Sequence, residues 1–234
     1  MERRIIITKD GSHSISVPEM NVTYHSIHGA IQESKHVFIG AGFYRSGHLA
    51  DVNLSDRLER PDHLGASVLE IGLGTGLNAL LTLIEADKSQ QKVHYTAIEL
   101  FPLADDEIRM LNYCTQLNQP GYRPLFEKLH QCEWEKSIII SPYFVFHKTK
   151  SDVIHYSTDA RFDIIYFDAF APAAQPELWS KEIFEKLYIV MAHSGILVTY
   201  CSKGDVRRAM QAAGFTVEKI PGPPGKREMI RARK

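Results

Sequence analysis

One carboxylate, Asp168, lies at a point in the sequence where α/β proteins place their chemistry. The apolar run at residues 162–167 predicts a buried strand that ends directly before it. Pro172 and Pro176 then prevent a further strand and favour a stiff loop. Since ligands of open α/β sheets bind beyond the carboxyl ends of strands, Asp168 is the candidate catalytic residue. The alternative is a carboxylate that only caps a loop or a helix.

An acid in that position suits an amine substrate. An amine is protonated in neutral water, and Asp168 would hold it, orient its lone pair and take up its proton. Phe170, Pro172 and Trp179 are expected to wall the pocket, although both aromatic residues suit the core equally well.

A glycine-rich turn predicts a nucleotide-type ligand on the neighbouring strand. Residues 68–78 pass from an apolar strand through a G-x-G-x-G turn into a helix. Glycines allow a sharp turn and close approach of the backbone to a ligand. The pattern resembles motif I of class I S-adenosylmethionine-dependent methyltransferases, and a tight turn without a ligand is the alternative. The expected cofactor-binding residues here are Glu70, Gly72, Gly74, Gly76 and Asn78.

Two further acids follow predicted strands. Glu99 ends the next strand, 23 residues after Gly76, where an acid can accept hydrogen bonds from both ribose hydroxyls. Asp152 follows the strand after that and is expected to hold the adenine amino group. Surface acids at strand ends are the alternative for both.

Apolar strands alternate with helical patterns after residue 66. This predicts an α/β fold with a Rossmann-like, mostly parallel seven-stranded sheet whose last strand is antiparallel. The expected strands are 67–71, 92–100, 143–148, 162–167, 196–200, 215–220 and 227–233. The expected helices are 77–87, 103–117, 125–135, 176–191 and 204–213.

Residues 1–65 have a different pattern and predict a small N-terminal cap. Apolar residues around Asp10-Gly11 predict a β-hairpin, and 24–38 have helical spacing. The cap is expected to pack on a main domain of residues 66–234, with the junction at 60–65.

Composition excludes several classes of protein. With 44% hydrophobic and 24% charged residues the chain is typical of globular proteins, and its apolar runs are shorter than the roughly 18 residues of a membrane span. Three separated cysteines and eleven unclustered histidines argue against disulfides and a metal site, and predict a cytoplasmic protein. The net charge of −1 hides nine Lys or Arg and three acids in 203–234, which indicate either a phosphate-binding face or a solvated surface.

Taken together, these motifs resemble the methyltransferase domain of the bifunctional tRNA 5-methylaminomethyl-2-thiouridine biosynthesis protein family. The resemblance covers nearly the whole chain. The matching segments are 10–14, 24–26, 29–34, 69–78, 99–103, 167–172, 176–179, 199–200, 206–208, 213–215 and 225–229.

The resemblance implies a cofactor, a substrate and a set of contacts. S-adenosylmethionine would supply the methyl group, and the acceptor would be the primary amine of 5-aminomethyl-2-thiouridine at the tRNA wobble position. Asp168 would receive the amine, while Tyr24 and residues 29–34, with Glu33 and Ser34, would close over the pocket. The residues expected to meet tRNA phosphates are Arg207, Arg208, Lys226 and Arg227.

The family also carries a C-terminal flavin-dependent oxidase, whereas this sequence ends at Lys234. The expectation is therefore a stand-alone form that uses the free aminomethyl nucleotide or depends on a separate enzyme to supply it. Three alternatives stay open: an aminopropyltransferase of the spermidine synthase type, a methyltransferase for a small molecule or protein, and a non-catalytic RNA-binding or scaffold protein. The basic tail and the scarcity of acids in the Asp168 loop favour tRNA over a polyamine.

Overall fold

The computed structural model describes residues 2–46 and 65–234. Its N-terminal sheet has three antiparallel strands: β1 (Arg4–Ile7), β2 (His13–Val17) and β3 (Val22–Thr23). The predicted hairpin is confirmed, with Arg4 opposite Ser16 and Ile7 opposite His13. The third strand was not predicted, because two residues carry no usable periodicity.

The cap continues into helix only in its second half. Helix α1 (Ala30–Ser34) passes into a π-helix at Lys35–Gly40, followed by a 3-10 turn at Phe43–Arg45. The helix predicted over 24–38 therefore begins too early. Tyr24 is held outside the helix because its backbone N–H donates to the carbonyl of Ile15, beside β2.

The main sheet has eight strands. They are β4 (Ala66–Ile71), β5 (Val93–Ile98), β6 (Ser137–Ser141), β7 (Phe144–Thr149), β8 (Phe162–Phe167), β9 (Met191–Thr199), β10 (Thr216–Pro221) and β11 (Glu228–Arg233). Their order is β10-β11-β9-β8-β4-β5-β7-β6. Strands β9, β8, β4, β5 and β7 are parallel, and β11 is antiparallel to β9.

This topology confirms the predicted α/β architecture and corrects the strand count. Seven strands match the predicted set, and β6 adds an eighth that pairs antiparallel with β7 at the edge. Sequence reasoning missed β6 because an edge strand is half solvated. Its central Ile139 is 69% exposed, which is unusual for an isoleucine in a strand.

The helices cover both faces of this sheet. They are α2 (Leu77–Ser89), α3 (Asp105–Met110), α4 (Tyr113–Gln116), α5 (Arg123–Gln131), α6 (Lys181–Val190) and α7 (Gly204–Ala212), with short 3-10 turns at Pro18–Met20, Pro120–Tyr122 and Pro176–Trp179. Within the described residues no helix is long and apolar enough to cross a membrane.

Two predicted helices are interrupted by side-chain hydrogen bonds. The helix predicted over 103–117 divides into α3 and α4 because Asn112 binds the cap hairpin, accepting from the N–H of His13 and donating to the carbonyl of Gly11. The helix predicted over 176–191 starts as a 3-10 turn. Ser180 then caps α6 by accepting from the N–H of Ile183.

Alternate residues of the strands enter two different cores. On β8, Tyr166 packs with Phe38 of the cap and Tyr95 of β5, while its neighbour Phe167 packs with Trp179 on the opposite face. The cap thus shares a core with one face of the main sheet. The predicted division at residue 65 stays a prediction, since junction residues 60–64 lie outside the described ranges.

Candidate active site

A cleft opens at the carboxyl ends of β4, β5 and β8, where the strand-end rule places ligands. Loops of the main domain form its floor, and the cap contributes Arg3, Met20, Tyr24 and His25. The sequence-predicted residues that line it are Tyr24, Gly72, Gly74, Glu99, Asp152, Asp168 and Phe170. The cleft therefore brings together residues from distant parts of the chain, as the strand-end argument requires.

The glycine turn lets neighbouring groups approach the cleft floor. Gly74 has φ +50°, and a Cβ built there would lie 2.9 Å from Cδ1 of Tyr24. A Cβ on Gly72 would lie 3.0 Å from the carbonyl oxygen of Asp168. Side chains at either position would push the cap or the β8 loop away. Gly76 lies at the start of α2, outside the cleft lining.

Glu99 is fixed at the cleft by two backbone donors. The N–H of Gly74 donates to its Oε2 at 2.8 Å, and the N–H of Phe101 donates to its Oε1 at 2.8 Å. Each carboxylate oxygen keeps a further lone pair for a ligand hydroxyl. The nearby lining is apolar, formed by Ile98, Leu100, Val153 and Leu178. Asp152 also lines the cleft, and its Oδ1 accepts from the N–H of Ile154.

Asp168 is held by an amide that it shares with a second carboxylate. Nδ2 of Asn78 donates to Oδ2 of Asp168 at 2.8 Å and to Oε1 of Glu70 at 2.9 Å. The N–H of Asp168 donates to the carbonyl of Ile71. Glu70 is fully buried, and neither it nor Asn78 lines the cleft. The structure therefore places both behind Asp168, outside the cleft lining.

Burial controls the charge of both acids. Desolvation raises the pKa of Asp168 to about 7, the negative charge of Glu33 adds to the rise, and Asn78 and Lys226 oppose it. Burial also raises the pKa of Glu70 well above its usual range. A carboxyl group that titrates near neutrality can exchange a proton with a bound substrate under physiological conditions.

Aromatic side chains form one wall of the cleft. The rings of Tyr24 and Phe170 meet edge to face, 5.1 Å apart. Phe170 is held by its backbone, because its carbonyl accepts from Nε1 of Trp179 at 2.8 Å. Trp179 itself is 5% exposed and packs on Phe167 in the core, outside the cleft lining. The structure thus places Trp179 behind the wall, where it positions the loop, and Pro172 also lies outside the lining.

The predicted closing and phosphate-binding residues have mixed surroundings. Glu33 and Ser34 are buried on α1, outside the cleft lining. Glu33 pairs with Lys226 at 2.8 Å, so Lys226 points toward the cap. Arg208 is paired with Asp205. The remaining two predicted phosphate contacts are Arg207, which is half-buried, and Arg227, which is exposed.

Several site residues had not been predicted. Arg3 donates to the carbonyls of Phe101 and Pro102, and thereby ties the cap to the β5 loop. His25 bonds to Oγ1 of Thr75, and burial lowers its pKa to about 4, so it is neutral. Tyr200 donates to the carbonyl of Ala169 at 2.8 Å. Tyr200 follows β9 directly, so the strand-end rule could have indicated it, and His25 and Tyr200 both lie in segments that resemble the family.

Comparison with known proteins identifies relatives for this arrangement. Residues 143–234 match a family model described as S-adenosyl-L-methionine-dependent methyltransferase. The tRNA 5-methylaminomethyl-2-thiouridine biosynthesis bifunctional protein MnmC of Azoarcus sp. (strain BH72) is 30% identical over 226 residues. That alignment covers 90% of this chain and 32% of the relative. This chain thus spans about a third of the length of the curated relatives it matches.

Two solved structures share the fold. MNMC2 from Aquifex aeolicus has a TM-score of 0.73 at 21% identity, and the match covers 99% of this chain and 70% of that one. Spermidine synthase from Thermotoga maritima has a TM-score of 0.53 at 12% identity, with coverage of 99% and 68%. At these identities the likeness shows the fold alone. It confirms the class I methyltransferase architecture with an N-terminal cap.

Proposed function

Because residues 143–234 match a family model of S-adenosyl-L-methionine-dependent methyltransferases and the chain is related over nearly its whole length to the MnmC proteins, we propose that it methylates the amine of 5-aminomethyl-2-thiouridine at the tRNA wobble position. The relatives are named for biosynthesis of tRNA 5-methylaminomethyl-2-thiouridine, which is the nucleoside that this methylation would give. The observation that carries the proposal is Asp168, a carboxyl group with a pKa of about 7 beside the glycine turn.

The residues present fit the cofactor. Glu99 offers a fixed carboxylate for two ribose hydroxyls, and Gly72 and Gly74 line the same cleft beside it. Apolar side chains next to Asp152 suit an adenine ring. When bound, S-adenosylmethionine supplies an electrophilic methyl group on a positively charged sulfur.

The acceptor amine meets Asp168. An ammonium substrate donates one proton to the ionised carboxylate, and its nitrogen then holds the lone pair that methylation requires. Asn78 fixes the carboxylate for this exchange. The nitrogen would regain a positive charge as its new N–C bond forms and the methyl–sulfur bond breaks, with a neutral thioether as the leaving group. The product would then leave as a secondary ammonium, and Asp168 would return its proton to water. Tyr24 and Phe170 exclude water at the wall.

A nucleotide of the anticodon loop suits the shape of the cleft. RNA-specific proteins bind unstacked loop bases on aromatic side chains, and enzymes that modify a base draw it out of its stack. Phe101 lines the cleft and is 55% exposed, so its ring is available to a base at the mouth. An exposed aromatic residue at that point supports a base-bearing acceptor.

The test is methyl transfer from labelled S-adenosylmethionine to tRNA that carries 5-aminomethyl-2-thiouridine, followed by mass analysis of nucleosides. The wild-type protein should form the methylaminomethyl nucleoside. Asp168→Ala should lose at least about 100-fold in rate, as expected for loss of a general base. Asp159→Ala is the matched control, since Asp159 is exposed and lies outside the cleft lining.

Assays with other substrates, run beside the tRNA assay, separate the alternatives. Formation of spermidine from putrescine and decarboxylated S-adenosylmethionine, without transfer to tRNA, would replace this proposal with aminopropyl transfer. Transfer only to small amines would point to a small-molecule methyltransferase. Cofactor binding without any product from tRNA would reject the wobble-nucleotide substrate.

A further inference from the structure

An ion pair joins the N-terminal cap to the C-terminal hairpin next to the active site. Nζ of Lys226, in the turn between β10 and β11, lies 2.8 Å from Oε1 of Glu33 on α1. The side chain of Glu33 is 7% exposed, and its Oε2 accepts from the N–H of Ser26 at 2.8 Å. Both carboxylate oxygens are therefore engaged. A buried charge of this kind is strongly held by its partner.

Other contacts dock the same turn on the cap. A Cβ on Gly225 would lie 2.3 Å from Cδ2 of His28, so the backbone of the turn touches the cap directly. The carbonyl of Pro221 bonds to Nε2 of His36 at 2.8 Å. The ion pair is therefore part of a packed interface between the C-terminal hairpin and the cap, and its position is fixed from both sides.

A chain of contacts connects this pair to Asp168. Nζ of Lys226 lies 3.9 Å from the ring centroid of Tyr200. The hydroxyl of Tyr200 donates to the carbonyl of Ala169, the residue that follows Asp168. The charges of both members of the pair act on Asp168, with opposite signs.

We propose that Glu33 and Lys226 are a positioning pair for the reaction: they dock the β10–β11 turn on the cap and balance the electric field at Asp168. The pair acts through Asp168 and lies behind the cleft wall, so neither residue contacts the substrate. In the intact pair the two charges act on Asp168 with opposite signs. Loss of either member leaves the other as an uncompensated charge beside Asp168.

Other groups surround Asp168 and remain unchanged in the variants. Three groups face Asp168 directly or through one contact: Glu70 on β4, Asn78 on α2 and Tyr200 after β9. Tyr95 on β5 interacts with both Glu70 and Asp168. Glu99 at the end of β5 acts on Glu70. These groups set a common background, so opposite changes in two single variants report on the ion pair alone.

The test is titration of the Asp168 carboxyl group by carbon NMR in protein labelled at aspartate, with Asp168→Asn to assign the signal. Glu33→Gln should lower the titration midpoint by about one pH unit, because Lys226 is then unopposed. Lys226→Met should raise it, because Glu33 is then unopposed. The double variant should have a midpoint between those of the two single variants.

Lys219→Met is the matched control. Lys219 lies on the same hairpin and pairs with Glu228 at 2.7 Å, but this pair is partly exposed and does not act on Asp168. If a thermal melt shows that Glu33→Gln does not fold, the comparison of Lys226→Met with the charge-preserving Lys226→Arg tests the proposal instead. Only Lys226→Met should move the titration midpoint of Asp168. Unchanged midpoints, shifts in one direction, or an equal shift in the control would overturn the proposal.

The role in catalysis rests on the proposed function and has its own measurement. The pH profile of methyl transfer to tRNA should move in the same directions as the titration in the two single variants. If the wild type shows no transfer, the proposed substrate fails while the titration still decides the effect of the pair. If transfer occurs and the titration does not respond, the pair alone is rejected.

Discussion

At Asp168 the requirements of function oppose those of stability. Its carboxylate is desolvated, lies near the charge of Glu33 and receives a side-chain hydrogen bond from Asn78. Its pKa of about 7 lies above the ordinary value of 3.8. The folded protein therefore holds a proton there at pH values where the unfolded chain has lost it.

Asp168→Asn should stabilise the protein at high pH while abolishing methyl transfer. Because the folded pKa is raised, the contribution of Asp168 to stability is greatest below about pH 4, falls as pH rises toward 7 and is lowest above that. The variant has no such loss. Since Asp168 is partly exposed, we discount the full effect. The free energy of unfolding of Asp168→Asn at pH 8 should exceed that of the wild type by about 2 kcal/mol, which raises Tm by about 5 °C.

Thermal melts of the free wild-type and variant proteins at pH 5 and pH 8 measure this effect. The gain in Tm should be larger at pH 8 than at pH 5. If the Tm of Asp168→Asn at pH 8 is equal to or lower than that of the wild type, the folded protein stabilises the ionised carboxylate of Asp168, and the prediction is wrong.

The sequence located the residues that follow strands, and it missed those brought in by tertiary contacts. Asp168, Glu99 and Asp152 line the cleft as predicted, because a parallel sheet aligns all its strand ends. Arg3 and His25 reach the same cleft from the cap, through hydrogen bonds to partners 50 or more residues away. Local pattern contains no information on such distances.

Among the elements, the glycine turn is sensitive to a single added methyl group. Gly74→Ala should weaken binding of S-adenosylhomocysteine about tenfold or more. The reason is that φ +50° costs an L-residue about 1–2 kcal/mol, and the new Cβ would lie 2.9 Å from Tyr24. Relief of either strain displaces the backbone that donates to Glu99.

Isothermal titration calorimetry measures this affinity. Gly121→Ala is the control, since a Cβ there meets no atom within 4 Å. Wild-type affinity in Gly74→Ala would mean that the turn is not part of the cofactor site. An equal loss in Gly121→Ala would show that the effect is general.

Element types were predictable where a segment depends on its own pattern. Strand β8 has the predicted bounds because all six of its residues are buried, and α7 ends close to the predicted position. Strand β9 begins five residues earlier than predicted, since its exposed His193 and Ser194 conceal the strand pattern. Helices α3 and α4 are separate because Asn112 binds the cap hairpin.

For the whole molecule, many of the basic side chains near the C-terminus already have a carboxylate partner, and Arg231 and Arg233 share Glu218. Five of the nine Lys and Arg residues in 203–234 are in ion pairs: Arg208, Lys219, Lys226, Arg231 and Arg233. Lys234 donates to backbone carbonyls. Within residues 2–46 and 65–234, Lys203, Arg207 and Arg227 have no carboxylate within 4.0 Å. Few basic side chains of this segment are therefore without a carboxylate or backbone partner in the described part of the chain.

On the proposed function, tRNA binding should therefore depend on few phosphate contacts. Arg207 and Arg227 are both near Glu228, since the charges of both lower its pKa. Arg207→Ala/Arg227→Ala should weaken tRNA binding at low salt. It should also reduce the slope of log K against log [salt] by about 1.5, because each phosphate contact contributes about 0.7–0.9.

Filter binding of tRNA between about 50 and 200 mM salt measures this slope. Lys136→Ala is the control, because Lys136 is exposed and precedes β6 at the opposite edge of the sheet from β10. Loss of slope in the arginine variant alone would locate the tRNA backbone at the C-terminal hairpin and α7. An unchanged slope would place it on another face, and the few unpaired cations of this segment would then serve only solubility.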